Sequence, residues 1–114
     1  MEKTVIIDGR EIRFKTNGAT PLKYKLQFGK DFLSEILKLS VLKSIQDFEN
    51  IDSSVMEKID FEVLYNITWT FAKTADQTIP EPEKWLETFE QFPIIEVFGE
   101  LQELLIANLQ SKKK

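Results

Sequence analysis

Apart from Ile6, the apolar residues flanking Asp8-Gly9 recur at alternate positions. Val5 and Ile7 stand before Asp8-Gly9, and Ile12 and Phe14 stand after it. Asp-Gly is well suited to the two consecutive positive φ angles of a type I′ turn, so the pattern predicts a β-hairpin over residues 3–15. Pairing outward from the turn sets Val5 opposite Ile12 and Lys3 opposite Phe14, with Ile7 on the same face. Thr4, Ile6, Glu11 and Arg13 take the other face. One side of the hairpin must therefore be buried, and an isolated hairpin is marginal, so that side should lie on helices.

Beyond Asn17-Gly18 the apolar period changes from two to that of a helix. Thr20-Pro21 reads as an N-cap followed by proline at the first helical position, and Gly29 as a C-cap, which predicts a helix over 20–28. Asp31 opens a second helix over about 31–45, with Phe32, Leu33, Ile36, Leu37 and Val41 at helical spacing. Ser54 and Glu57 have the spacing of a capping box and predict a helix over 54–74. Its apolar residues, from Phe61 through Trp69 to Ala72, surround the axis rather than striping it, the mark of an element buried on most sides. Pro82 starts a helix over 82–91 with Trp85, Leu86 and Phe89 on one side, and Pro93 starts another over 93–110. In that last helix Ile94, Val97, Phe98, Leu101, Leu104 and Leu105 face inward, leaving Glu96, Glu100 and Glu103 to water. The expected fold class is mainly α (α+β), a small helical bundle around the 54–74 helix with the hairpin covering one end. It forms a single domain over 1–111, followed by the charged tail Lys112-Lys113-Lys114.

Composition narrows the chemistry. The 114 residues include no cysteine and no histidine, which removes disulfides, thiolate catalysis, Ser-His-Asp arrangements and the commonest metal ligands. The four glycines form neither GxGxxG nor a P-loop. Asp52, Asp60, Glu62, Asp76, Glu81 and Glu83 read as helix caps and solvated faces, so no catalytic, cofactor-binding or metal-binding residue is expected. Phe61, Trp69 and Trp85 read as core anchors. No stretch approaches the ~20 apolar residues of a membrane span, and Asn66-Ile67-Thr68, a glycosylation sequon by pattern, falls inside the buried helix.

The net charge of −4 is unevenly placed: residues 1–30 hold 7 basic and 3 acidic side chains, residues 31–114 hold 8 and 16. The acidic majority argues against nucleic acid as the principal ligand. The basic hairpin, with Arg10 and Arg13 and an open strand edge, could meet an acidic partner or accept a strand. An acidic body with one basic end also allows head-to-tail self-association.

The run Leu64-Tyr65-Asn66-Ile67-Thr68-Trp69-Thr70-Phe71-Ala72-Lys73-Thr74-Ala75-Asp76, then Ile79-Pro80-Glu81-Pro82-Glu83-Lys84-Trp85-Leu86, resembles the tail assembly chaperones of long-tailed bacteriophages and prophages of Gram-positive bacteria. Residues 72–76, 79–80 and 85–86 match the family's A-K-T-A-D, I-P and W-L elements in order. Ile7-Asp8-Gly9 and the segment from Leu26 to Phe32 also fit, so the resemblance covers most of the chain. Pro82 stands where a small polar cap is expected, and residues 39–51 match nothing in the pattern.

The resemblance implies a non-enzymatic protein of the host cytoplasm, absent from the finished virion. It would keep the tape measure protein soluble and recruit tail tube protein subunits around it. It also implies that a ribosomal frameshift makes a longer form, with which the terminal lysines are compatible. A chaperone for a helical partner needs an exposed apolar stripe, and the terminal helix is the candidate, with Val97, Leu101 and Leu104 divided between core and partner. Without the resemblance, an intracellular adaptor or regulatory subunit fits the same features.

Overall fold

Asp8 and Gly9 adopt φ of 56° and 76°, the left-handed pair that a type I′ turn demands. In this computed structural model, which describes residues 1–39, 50 and 52–110 except for the side chains of 108–110, the turn joins β1 (Glu2–Ile7) to β2 (Arg10–Lys15). Val5 pairs with Ile12 and Lys3 with Phe14, in the register the sequence predicts. Ile7 and Phe14 are buried, while Ile6 on the opposite face is exposed.

Seven helices follow among the described residues: α1 (Thr20–Phe28), α2 (Phe32–Leu37), α3 (Ser53–Met56), α4 (Phe61–Ala75), α5 (Pro82–Glu87), α6 (Ile94–Glu100) and α7 (Gln102–Gln110). The fold is thus mainly helical with a short antiparallel hairpin. α4 is its centre, with β2, α1, α5 and α6 packed around it. From Asn66 to Ala72 every residue of α4 is buried, nearly two turns without a solvent-facing side. Two of its buried threonines are accommodated within the helix: the Thr70 hydroxyl donates to the Asn66 carbonyl and the Thr74 hydroxyl to the Thr70 carbonyl, each at 2.8 Å, whereas the buried Thr68 hydroxyl has no such partner.

Several boundaries differ from expectation. The helix expected over 54–74 is two elements. α3 stops at Met56, and α4 starts at Phe61 with Asp60 as N-cap, its carboxylate accepting from the Val63 N–H at 3.5 Å. The Ser54–Glu57 box does not form, and the Ser54 hydroxyl instead donates to Asp52 at 2.6 Å. Ile59 before the cap and Leu64 four residues after it are both in the core, the arrangement of a hydrophobic staple. That apolar pair fixes the start of α4 at Asp60.

Thr20 lies inside α1 rather than capping it. Ala19 is the N-cap, and the buried Thr20 hydroxyl accepts from the Asn17 N–H at 3.0 Å, so it secures the preceding turn. α1 ends as expected at Gly29, with φ of 73°. Asp31 caps α2 through the Ser34 N–H at 3.0 Å. α2 stops at Leu37, short of the expected end at 45, and the Lys38 and Leu39 N–H groups bond three residues back to Glu35 and Ile36 at 3.1 and 2.9 Å. Residues 40–45, Val41 included, lie outside the described residues, as does the tail 112–114.

α5 ends at Glu87 rather than 91. The Thr88 hydroxyl donates to the Trp85 carbonyl at 2.7 Å, and Phe89 and Phe92 fold back so that their rings lie 5.3 and 5.5 Å from the Trp85 ring. The helix expected over 93–110 is interrupted at Leu101, where the N–H bonds three residues back to Phe98 at 3.0 Å. Gly99, a poor helix former, stands two positions before Leu101.

Candidate interaction surfaces

The hairpin is fastened to the helices by the two arginines of β2. Arg10 donates to both the Thr88 carbonyl and the Thr88 hydroxyl at 3.2 Å, and its guanidinium lies 4.1 Å from the Phe89 ring centroid. Arg13 donates to the Ala75 carbonyl at 2.8 Å and pairs with Glu2 at 3.1 Å. It thereby satisfies a terminal carbonyl of α4 with a positive charge at the negative end of the helix dipole. At the turn, Asp8 accepts from the Glu90 N–H at 3.0 Å. Arg10 and Arg13, expected as partner contacts, therefore spend donors on holding β2 against α4 and the residues after α5. A cleft of about 210 Å³ opens beside them, lined also by Glu11, Ile12, Ala72, Asp76, Ile79 and Trp85.

The carboxyl end of α4 closes on the loop that follows. Lys73 donates to the Gln77 and Ile79 carbonyls at 2.8 and 2.7 Å, and the Trp69 indole N–H donates to the Pro80 carbonyl at 2.9 Å. Asp76 accepts from the side chain and backbone N–H of Thr78, which hold its carboxyl below the usual carboxylate range. Trp69 and Trp85 are buried anchors as expected, whereas Phe61 is half-buried at the edge of the core.

The terminal stripe is in the core. Val97, Leu101 and Leu104 are 2%, 0% and 0% exposed, so none divides its surface between core and partner. Their spacing served interior packing alone. Among the described side chains of α7, Ile106 is the exposed large apolar one.

The apolar residues that do reach solvent together lie on α1 and α2. Leu22 and Leu26 are 60% and 77% exposed, and Leu33 and Leu37 are 52% and 65% exposed. Each pair is spaced i, i+4 and so shares one helix face. The inner faces are joined instead by Tyr24 and Glu35. The Tyr24 hydroxyl donates to Glu35 at 2.8 Å, Lys38 pairs with the other carboxylate oxygen at 2.9 Å, and the Tyr24 ring lies 5.3 Å from that of Phe32. Burial pushes the Glu35 carboxyl up, but the hydrogen bonds from Lys38 and Tyr24 and the charges of Lys38 and Lys30 more than reverse it, leaving it below its ordinary value. Burial and the bond to Glu35 push the Tyr24 phenol far up, and the Glu35 bond raises Lys38.

In the sequence Leu33 and Leu37 share helical spacing with Phe32 and Ile36, and Glu35 has no assigned role. The signal was present on α1, where Tyr24-Phe28 and Leu22-Leu26 are competing i, i+4 pairs on opposite faces and a surface helix has one face to bury. Nothing in the sequence marks Glu35 as interior.

Among the described residues no group of three acidic side chains is placed to hold a metal ion, and no helix is long and apolar enough to cross a membrane. No protein-family model, curated protein or solved structure matches the chain.

Proposed function

We propose that this protein is a non-enzymatic tail assembly chaperone of a long-tailed phage or prophage, one that binds the tape measure protein and helps recruit tail tube subunits. The observation that carries this reading is the ordered run Ala72-Lys73-Thr74-Ala75-Asp76, Ile79-Pro80 and Trp85-Leu86. Its members have interlocking structural duties. Lys73 gathers the loop carbonyls, Asp76 turns the chain, Pro80 receives the Trp69 indole, and Trp85 anchors the next helix. Short motifs that together specify one helix–loop–helix unit make a fold signature, which is a stronger basis for a resemblance than separate coincidences of sequence.

The exposed leucines of α1 and α2 suit the role, because a holder of an aggregation-prone helical protein needs apolar surface that its own core does not consume. Co-expression with the tape measure protein of the same genome, using both this chain and any longer frameshifted form, tests the reading. A soluble complex that co-elutes in size-exclusion chromatography is expected. An insoluble tape measure protein, with both forms eluting alone, would overturn the assignment in favour of an adaptor of another complex.

A further inference from the structure

We propose that the outer face of α1, extended by that of α2, is the docking surface, and that its occupant is an amphipathic helix of the partner protein with leucine-sized residues flanked by acidic side chains. This rests on the reading of the chain as a binder of helical proteins and adds where, and with what chemistry, the partner is held.

The arrangement of the two helices is the first ground. Leu22 and Leu26 each lie two residues from Tyr24, about 200° around the helix. Leu33 and Leu37 stand in the same relation to Glu35. Since the Tyr24 hydroxyl donates to Glu35 at 2.8 Å across the inner faces, both leucine pairs are turned outward by construction. Four of the eight large apolar residues exposed among the described residues fall within these sixteen positions. The i, i+4 row on each helix is the ridge that a neighbouring helix packs against.

Charge supplies the identity of the occupant. Lys23 and Lys25 flank the leucines of α1, Lys30 follows the end of that helix, and no salt bridge among the described residues engages them. Three acids border the region and each has a partner: Asp31 caps α2, Glu35 is buried against Tyr24 and Lys38, and Glu81 accepts from the Gln27 side chain of α1 at 2.9 Å. Cations held in no salt bridge beside exposed leucines complement an apolar stripe bordered by Asp and Glu. A lipid surface is the weaker fit, because helices of nine and six residues with two outward leucines each offer little apolar area to insert.

The test is a titration of the intact protein, followed by backbone NMR, with two synthetic amphipathic helical peptides that share one leucine stripe and carry Glu or Lys on their flanks. The Glu peptide should bind with shifts centred on α1 and α2, weaken with salt and outbind the Lys peptide. L22S/L26S should weaken it at least tenfold, and K23E/K25E should reverse the preference between peptides. Both variants alter exposed or half-exposed residues, and an unchanged circular dichroism spectrum shows that each still folds.

In these binding experiments four results would overturn the proposal: shifts confined to α6 and α7, equal binding of both peptides, binding to anionic phosphatidylglycerol vesicles but to neither peptide, or self-association abolished by L22S/L26S with no peptide binding. A soluble tape measure complex that survives L22S/L26S would overturn this surface and leave the chaperone reading standing. Failure of that complex with normal peptide binding would do the reverse.

Discussion

The Tyr24 hydroxyl and the Glu35 carboxylate are 2.8 Å apart, and Glu35 is only 2% exposed although it carries a charge. A buried carboxylate is tolerated when its lone pairs are satisfied, and here Tyr24 and Lys38 take one oxygen each. Y24F keeps the ring packing on Phe28 and Phe32 but withdraws one donor from a buried charge. It should lower stability by about 1–3 kcal/mol, read as a shift of the urea midpoint at neutral pH with an unchanged slope.

The same three groups set a pH dependence with two limbs. Glu35 titrates below its unfolded value, so its contribution is present above the ordinary carboxylate range and is lost as pH falls through the folded value. Asp31 and Asp76 are shifted in the same direction and add to this acid limb. Tyr24 and Lys38 are raised, so their contribution is intact below pH of about 10 and is lost as pH rises beyond it. Urea midpoints against pH should form a plateau that falls at both ends. Y24F should weaken the alkaline fall and move the acid fall to higher pH, and an alkaline limb identical to that of the parent would contradict the assignment.

What the sequence made legible follows from how local each determinant is. The hairpin register, the helix end at Gly29 and the core positions of Trp69 and Trp85 depend on a turn dipeptide, a left-handed residue and dense apolar runs. Each of these acts within a few residues. The misread features depend on competition between signals. Ser54–Glu57 offered one helix start and Asp60 another, and the staple of Ile59 with Leu64 decides for the second. Leu33 and Leu37 have the spacing of core residues, yet the partner that reorients α2 is Tyr24, eleven positions before Glu35. Arg10 and Arg13 gave only charge, and their bonds to Thr88 and Ala75 span 78 and 62 residues. No pattern in a short window carries such contacts.

The competing helix starts can be separated directly. D60A removes the side chain that accepts from Val63 and should cost about 0.5–2 kcal/mol, whereas S54A removes a bond between exposed groups and should change stability by less than about 0.5 kcal/mol. Equal losses in thermal unfolding would restore the earlier start.

Lys73 and Trp69 hold the loop after α4 through three hydrogen bonds to carbonyls. K73M keeps most of the aliphatic stem and removes the ammonium that two of those carbonyls accept from. The loop should open locally, so amide exchange over residues 76–81 should accelerate severalfold while exchange in the middle of α4 stays close to that of the parent. Unchanged exchange in the loop would show that Trp69 and the Asp76 turn suffice to hold it.

Leu101 and Leu104 distinguish an interior stripe from a docking stripe. Both are 0% exposed, so L104A should create a cavity and cost about 2–5 kcal/mol, and L101E should leave the chain largely unfolded, since it would bury a carboxylate in the apolar core away from water. L26E is the contrast. Leu26 is 77% exposed, so the same change of chemistry should shift stability by no more than about 0.5 kcal/mol while placing a negative charge among the lysines of α1. Circular dichroism melts of the three variants decide the matter: a folded L101E would return the terminal helix to the surface, and a collapse of L26E would mean that α1 is turned inward.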